Sequence, residues 1–325
     1  MKSLHKLCLF LLIMGMSAVH AYVPTTWIRG VPNNIYSPLG AINASQELDT
    51  YLPCNFDPRV NLFALTQRSQ HLAGQCQAYG LGFQGTLYMD KVLQGLYSQI
   101  YAAALMNHGK IHDQSFRVKQ DTSSSLADTH LALGWKALNK KRLSLSGYLF
   151  GIIPAPKHAL FDPNKIINWI GLDNHFAWGT GLDVFVRLWG NQFHHIDWLT
   201  DTNVTFLTSR HAQAWKNNSG YELCPIKIHA HQLYKCQSTI AYQFKNFISD
   251  LGIQCFYMPA PHYDMANGLT KSLTPSDLWV SFLCDIGVVL PVHQSSLYCS
   301  LGAQVTDYNH SFDMWSANLK CGIRF

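Results

Sequence analysis

Charge is what this sequence has least of. Only 13% of its 325 residues are Asp, Glu, Lys or Arg, about half the share found in an ordinary soluble protein. The net charge of +5 is mild and scattered, with no basic cluster of the kind that grips nucleic acid. Beyond Ala21 there is no uninterrupted apolar run near the ~20 residues that a membrane-crossing helix requires. No two cysteines have the CxxC spacing of zinc or redox sites, and no nucleophile motif surrounds any histidine or acid. Apolar and aromatic residues are plentiful, at 48% and 13% of the chain.

The first residues have the grammar of an export signal. Lys2, His5 and Lys6 form a basic start, Leu7 to Met16 an apolar core too short to span a bilayer as a helix. Val19-His20-Ala21 then places small residues at the two positions a signal peptidase checks, so cleavage is expected after Ala21. Cys8 lies inside the apolar core with no small residue before it, which argues against a lipoprotein anchor. An exported chain without a spanning helix is either soluble or inserted as a closed β-barrel, because only helices and closed barrels satisfy their backbone in lipid. The low charge and the many rings favour the barrel over a cytosolic enzyme. Of the cysteines, Cys54, Cys76, Cys224, Cys236, Cys255, Cys284, Cys299 and Cys321 remain after the signal, far too few for a disulfide-stapled scaffold of this length.

The clearest pattern is the last stretch, Trp315 to Phe325, where every odd position is apolar and every even one is polar or glycine. Successive side chains of a strand point to opposite faces, so this stretch has one apolar face and one wet face. The same alternation recurs over 60–70, 76–88, 96–106, 126–135, 142–153, 176–188, 195–207, 234–245, 250–258, 278–290 and 297–307, which predicts about twelve strands, with ten or fourteen within range. The joints also sort themselves. Those at 89–95, 137–141, 189–194, 246–249 and 291–296 are short, and those at 107–125, 154–175, 208–233 and 259–277 are long. Short turns at one rim and long loops at the other is the transmembrane-barrel pattern, and a soluble sandwich has no reason to segregate loop length this way. The organisation expected is a signal over 1–21, an irregular segment rich in Pro, Asn and Ser over 22–59, and a single closed antiparallel transmembrane barrel over 60–325.

With the signal segment, the alternating strands and the ending Ile323-Arg324-Phe325, the chain resembles the outer-membrane β-barrel proteins of Gram-negative bacteria, in a porin-like style. The resemblance covers roughly 60–325. It implies an even strand number, a lipid-facing apolar band with aromatic girdles, and a polar interior. Trp135, Trp189, Trp279, Trp315, Tyr257 and Phe325 lie near strand ends, where girdles sit. It also implies that Phe325 closes the signal by which the barrel-assembly machinery recognises the last strand. The function implied is passive passage of small hydrophilic solutes across the outer membrane, with no catalysis, no cofactor and no metal. The alternatives are a non-conducting structural or adhesin barrel whose long loops bind partners, and an enzyme at the rim.

The wet-face charges Asp128, Asp183, Arg187, Asp197, Asp201, Lys235, Lys245, Asp285, Lys320 and Arg324 are the candidate lining. They set ion or solute preference if the lumen is open, or form a satisfied salt-bridge network if a narrow barrel is filled. Both signs occur, which does not support strong charge selectivity. The densest histidines are His194-His195, His229, His231 and His262; Asp197, His195 and His211 are the residues a rim enzyme would draw on. The cysteines of the last five strands, Cys236, Cys255, Cys284, Cys299 and Cys321, fall on apolar positions. They read as small apolar side chains facing lipid, or as sites of inter-protein disulfides. A disulfide between Cys224 and Cys236 is a further option.

Overall fold

The computed structural model describes residues 56–69, 74–89, 92–112, 118–126, 129–140, 142–154, 176–190, 194–217, 221–260, 262–265, 270–272, 277–292, 295–308 and 312–324. Its strands, in chain order, are β1 (Phe56–Ser69), β2 (Gly74–Tyr88), β3 (Leu96–His112), β4 (Val118–Leu126), β5 (Thr129–Lys140), β6 (Leu143–Ile153), β7 (Ala177–Gly190), β8 (His194–Leu207) and β9 (Arg210–Asn217). They continue with β10 (Tyr221–Ile228), β11 (His231–Phe244), β12 (Phe247–Met258), β13 (His262–Met265), β14 (Thr270–Ser272), β15 (Asp277–Val292), β16 (Ser295–Tyr308) and β17 (Phe312–Arg324). No helix among the described residues is long and apolar enough to cross a membrane.

All pairings of the main sheet are antiparallel. β4 and β5 follow each other along the same neighbour, β3, and count as one interrupted strand, so the sheet has twelve. Neighbours in sequence are neighbours in space, except where β8 meets β11 and β12 meets β15. β1 pairs with β2 on one side and with β17 on the other, and β2 pairs with β3. The twelve stretches that alternate in the sequence are all strands. β1 begins at Phe56, ahead of the boundary expected at Val60; the signal and most of the N-terminal segment lie outside the described residues.

Alternation sorts the side chains into two populations. On β7, Trp178, Leu182 and Leu188 point outward and are exposed, whereas Asp183, Phe185 and Arg187 are buried on the other face. On β16, Leu297, Leu301 and Val305 are exposed while Ser300 and Gln304 are buried. This is an inside-out arrangement for a water-soluble protein: Leu301 is 67% and Leu251 66% exposed, yet Asp183 and Asp197 are at 1%. Phe150 and Ile152, which the alternation places on the polar face, do turn inward, and Phe256 is fully buried there.

The two rims differ. At one end the connections are tight. Gly95 and Gly190 take positive φ, at 82° and 108°, as turn residues without a Cβ readily do. Lys245 with Asn246 forms a two-residue turn between the paired Phe244 and Phe247, with Lys245 at φ 51°. At the other end two of the long joints fold onto each other, forming a second sheet in the order β14-β13-β10-β9. The joint expected at 107–125 is also structured: β3 runs on to His112 and pairs with β4.

Candidate functional site

The inward face carries the polar chemistry. Across β7 and β8, Arg187 stands opposite Asp197, and Asp183 opposite Asp201. The Nε of Arg187 donates to Oδ1 of Asp197 at 3.1 Å, and His195 Nε2 lies 3.1 Å from the other carboxylate oxygen, Oδ2. Two levels further along β8, past the inward Leu199, Lys235 of β11 places its Nζ 2.7 Å from Asp201 Oδ2. Tyr148 of β6 donates its hydroxyl to Asp201 Oδ1 and accepts from Asn203 Nδ2 at 3.1 Å. A single carboxylate thus gathers a cation and a phenol from strands on either side. All of these charged groups are buried, His195 and Asp197 almost completely. For Arg187, Asp197, Lys235 and Asp201 burial of this kind is tolerated because each has an opposite charge within hydrogen-bond reach.

Neutral polar contacts extend the network around the interior. Gln254 donates to Gln237 at 2.9 Å, Gln304 to Ser281 at 3.2 Å, and Gln99 to Thr86 at 3.0 Å. Asp250 and Asp285 stand opposite each other across β12 and β15, both buried.

Tyrosines fill the space that glycines leave. Tyr97 stands opposite Gly134, and Tyr148 opposite Gly181. A Cβ built at Gly134 or Gly181 would overlap the facing ring, so the absence of a side chain is what lets each ring lie flat along the wall. Gly181→Ala is expected to push Tyr148 off Asp201 and lower stability by about 1–3 kcal/mol. Gly151→Ala, where a Cβ meets nothing within 4 Å, is expected to change it by less than ~0.5 kcal/mol. Denaturant titration of the two variants in detergent micelles checks the contrast.

Of the expected lining residues, Asp183, Arg187, Asp197, Asp201, Lys235 and Asp285 are inward and buried. The first five belong to the neighbouring strands β7, β8 and β11, with the buried Phe185–Leu199 pair between the Arg187–Asp197 and Asp183–Asp201 levels, and Asp285 lies apart on β15. Lys245 is a correction. The strand ends at Phe244, and Lys245 is an exposed turn residue whose ammonium lies 5.5 Å from the Phe244 ring. Lys320 and Arg324 lie on β17, Lys320 in register with Ser300 and Asn61, Arg324 with Ser296. Asp128 and Phe325 lie outside the described residues. Tyr148, His195, Gln254 and Asp250 are further members of the inward network; only parity along their strands marked them.

Among the described residues the histidines form no single cluster: His229, His231 and His262 meet, the His229 N–H donating to the His262 carbonyl at 2.9 Å and His231 Nδ1 lying 3.2 Å from the His229 carbonyl oxygen, and the others lie elsewhere. His194 points outward among aromatic rings, with Nε2 2.8 Å from the Tyr242 hydroxyl, while His195 points inward. His229, just past β10, pairs with Asp264 of β13 at 2.9 Å, and His211 is in register with Lys227 on β9 and β10. Among the described residues, no three His, Cys, Asp or Glu side chains are placed to hold a metal ion.

No family model and no curated protein sequence matches this chain. Solved structures do. An outer membrane channel from Pseudomonas putida F1 superposes with a TM-score of 0.53 at 10% identity, over 84% of this chain and 96% of that one. The transport unit of the autotransporter AIDA-I from Escherichia coli gives 0.51 at 8%, over 83% and 90%. A deletion mutant of the monoaromatic hydrocarbon channel TodX gives 0.50 at 9%, over 95% and 98%. At such identities the likeness is one of fold: the chain resembles outer-membrane β-barrels.

Proposed function

We propose that this chain is a narrow outer-membrane channel for small hydrophilic solutes, built as a closed twelve-stranded barrel. The observation that carries the proposal is the partition of side chains. Aliphatic and aromatic residues cover the outside of the sheet, and paired charges and amides occupy the inside.

The register supports closure. Following paired residues from strand to strand and back to β1 returns to a point about 14 residues from the start. For twelve strands ~4.8 Å apart with a rise of ~3.3 Å per residue, that offset corresponds to a tilt of about 39° and a backbone radius of about 12 Å. Trp178 and Trp189 mark the two ends of β7; at that tilt they are roughly 25–28 Å apart along the axis, the height of an outer-membrane apolar band. Trp178 stacks on Phe206 at one end, and His194, Tyr242 and Phe244 cluster beside Trp189 at the other, as two aromatic girdles would.

A barrel of this radius lined by tyrosine and arginine leaves a slim passage. The Arg187–Asp197 and Lys235–Asp201 pairs form its constriction, and with both signs present the channel has little charge preference. The proposal includes no catalytic step.

Reconstitution in planar bilayers tests it. Small, discrete conductance steps are expected, and Lys235→Ala with Asp201→Ala is expected to widen the constriction and raise the step roughly twofold. A folded barrel giving no steps in either form would instead support a structural or adhesin role. One observation favours that second reading: Asp183, Arg187, Asp197, Asp201 and Lys235, the ionic groups gathered on β7, β8 and β11, are at most 6% exposed. The sheet of β9, β10, β13 and β14 at the long-loop rim would then be the partner-binding part.

A further inference from the structure

We propose that Cys299 and Cys321 form an intramolecular cross-strand disulfide that fastens β16 to β17 on the outer side of the barrel. The two residues are direct partners in the register of the final hairpin. Directly opposed residues of antiparallel strands have Cα atoms about 4.5–5.5 Å apart, inside the ~4.4–6.8 Å window of natural disulfides. Their sulfurs are 2.9 Å apart, closer than the ~3.5–4.0 Å at which even unbonded carbons rest. Both point to the same face as Leu297, Leu301 and Ala317 and are half-buried.

The other cysteines supply the contrast. Cys284 stands opposite Leu251 and Ala303, so it has no sulfur across either seam and stays a thiol. Cys236 and Cys255 oppose each other across β11 and β12, but it is the close sulfur contact that singles out the last hairpin.

The chemistry is an ordinary exchange. One thiolate attacks the disulfide of an oxidising dithiol protein of the exported compartment, and the second thiolate displaces that carrier from the mixed disulfide. One S–S bond forms and the carrier's breaks, and the two electrons and two protons of the thiols leave with the carrier as its reduced dithiol. Because the pair belongs to one hairpin, it can meet before the ring is complete and while the carrier still has access. The inference rests on export to an oxidising compartment and is independent of whether the lumen conducts. It also makes bonds between protein molecules unnecessary to account for these two residues.

Full-length protein extracted from outer membranes, unfolded in SDS with N-ethylmaleimide and no reductant, then digested, gives the test. The peptides carrying Cys299 and Cys321 are expected joined and unlabelled, Cys284 labelled, and all three labelled after reduction. Cys321→Ser is expected to free Cys299 for labelling. Reduction is expected to lower, by several degrees, the temperature at which the folded gel band is lost in the wild type and to leave that of Cys321→Ser unmoved. Maleimide on Cys299 and Cys321 in most unreduced molecules, or a bond from either to another protein, would overturn the proposal.

Discussion

Replacing Leu301 with arginine is expected to lower the stability of the folded protein in lipid by about 2–4 kcal/mol. Leu301 sits midway along β16, opposite Ile286 and Leu319, and points outward with two-thirds of its surface uncovered. If that surface faced water, the change would move stability by less than ~0.5 kcal/mol, as exposed substitutions usually do. In hydrocarbon the guanidinium must reach an interface or draw water in, and the loss grows with depth. Val92→Arg is the control. Val92 is 79% exposed in the short turn before β3, beyond the apolar band, and its substitution is expected to be neutral. Urea titration in lipid vesicles reads both; equal, small effects would mean that the outward face does not meet lipid.

The second large effect is expected inside. Asp201→Ala removes the acceptor of both Lys235 and Tyr148 and leaves an ammonium buried at 4% exposure. Stripping one member from such a pair costs about 3–5 kcal/mol. Replacing both, as Asp201→Leu with Lys235→Met, removes the stranded charge together with the attraction, and stability should return to within ~1–2 kcal/mol of the wild type. Single variants no less stable than the double would show that the pair is solvated, and so that the lumen is wide and wet at this level.

The strands of the main sheet were legible because their two faces differ in polarity, as the lipid contact proposed for the outer one requires. A residue that meets hydrocarbon must be apolar and its neighbour across the backbone need not be, so alternation survives over whole strands such as 176–188 and 297–307. The enforcement stops at the rim. β9, β10, β13 and β14 lie in the long joints, where neither face must be apolar, and their sequences, such as His211 to Asn217, carry no period. Lys245 continues the alternation of β11 but sits past its end, because the strand turns at Phe244. A turn one residue earlier is invisible to parity. The network around Asp201 was half visible. Parity placed Asp183, Asp197, Asp201 and Lys235 on the inner face, but which of them touch depends on register. The same is true of Tyr97 over Gly134, Tyr148 over Gly181, and Cys299 against Cys321, each made by residues on different strands.

Everything above turns on which face of the sheet meets hydrocarbon. Nitroxide labels placed one at a time at positions 300–305 of β16, in protein reconstituted into bilayers, report that directly through their collisions with oxygen, which concentrates in lipid. High oxygen accessibility at 301, 303 and 305 with low values at 300, 302 and 304 is the predicted result. The absence of that alternation, or its reversal, would contradict it.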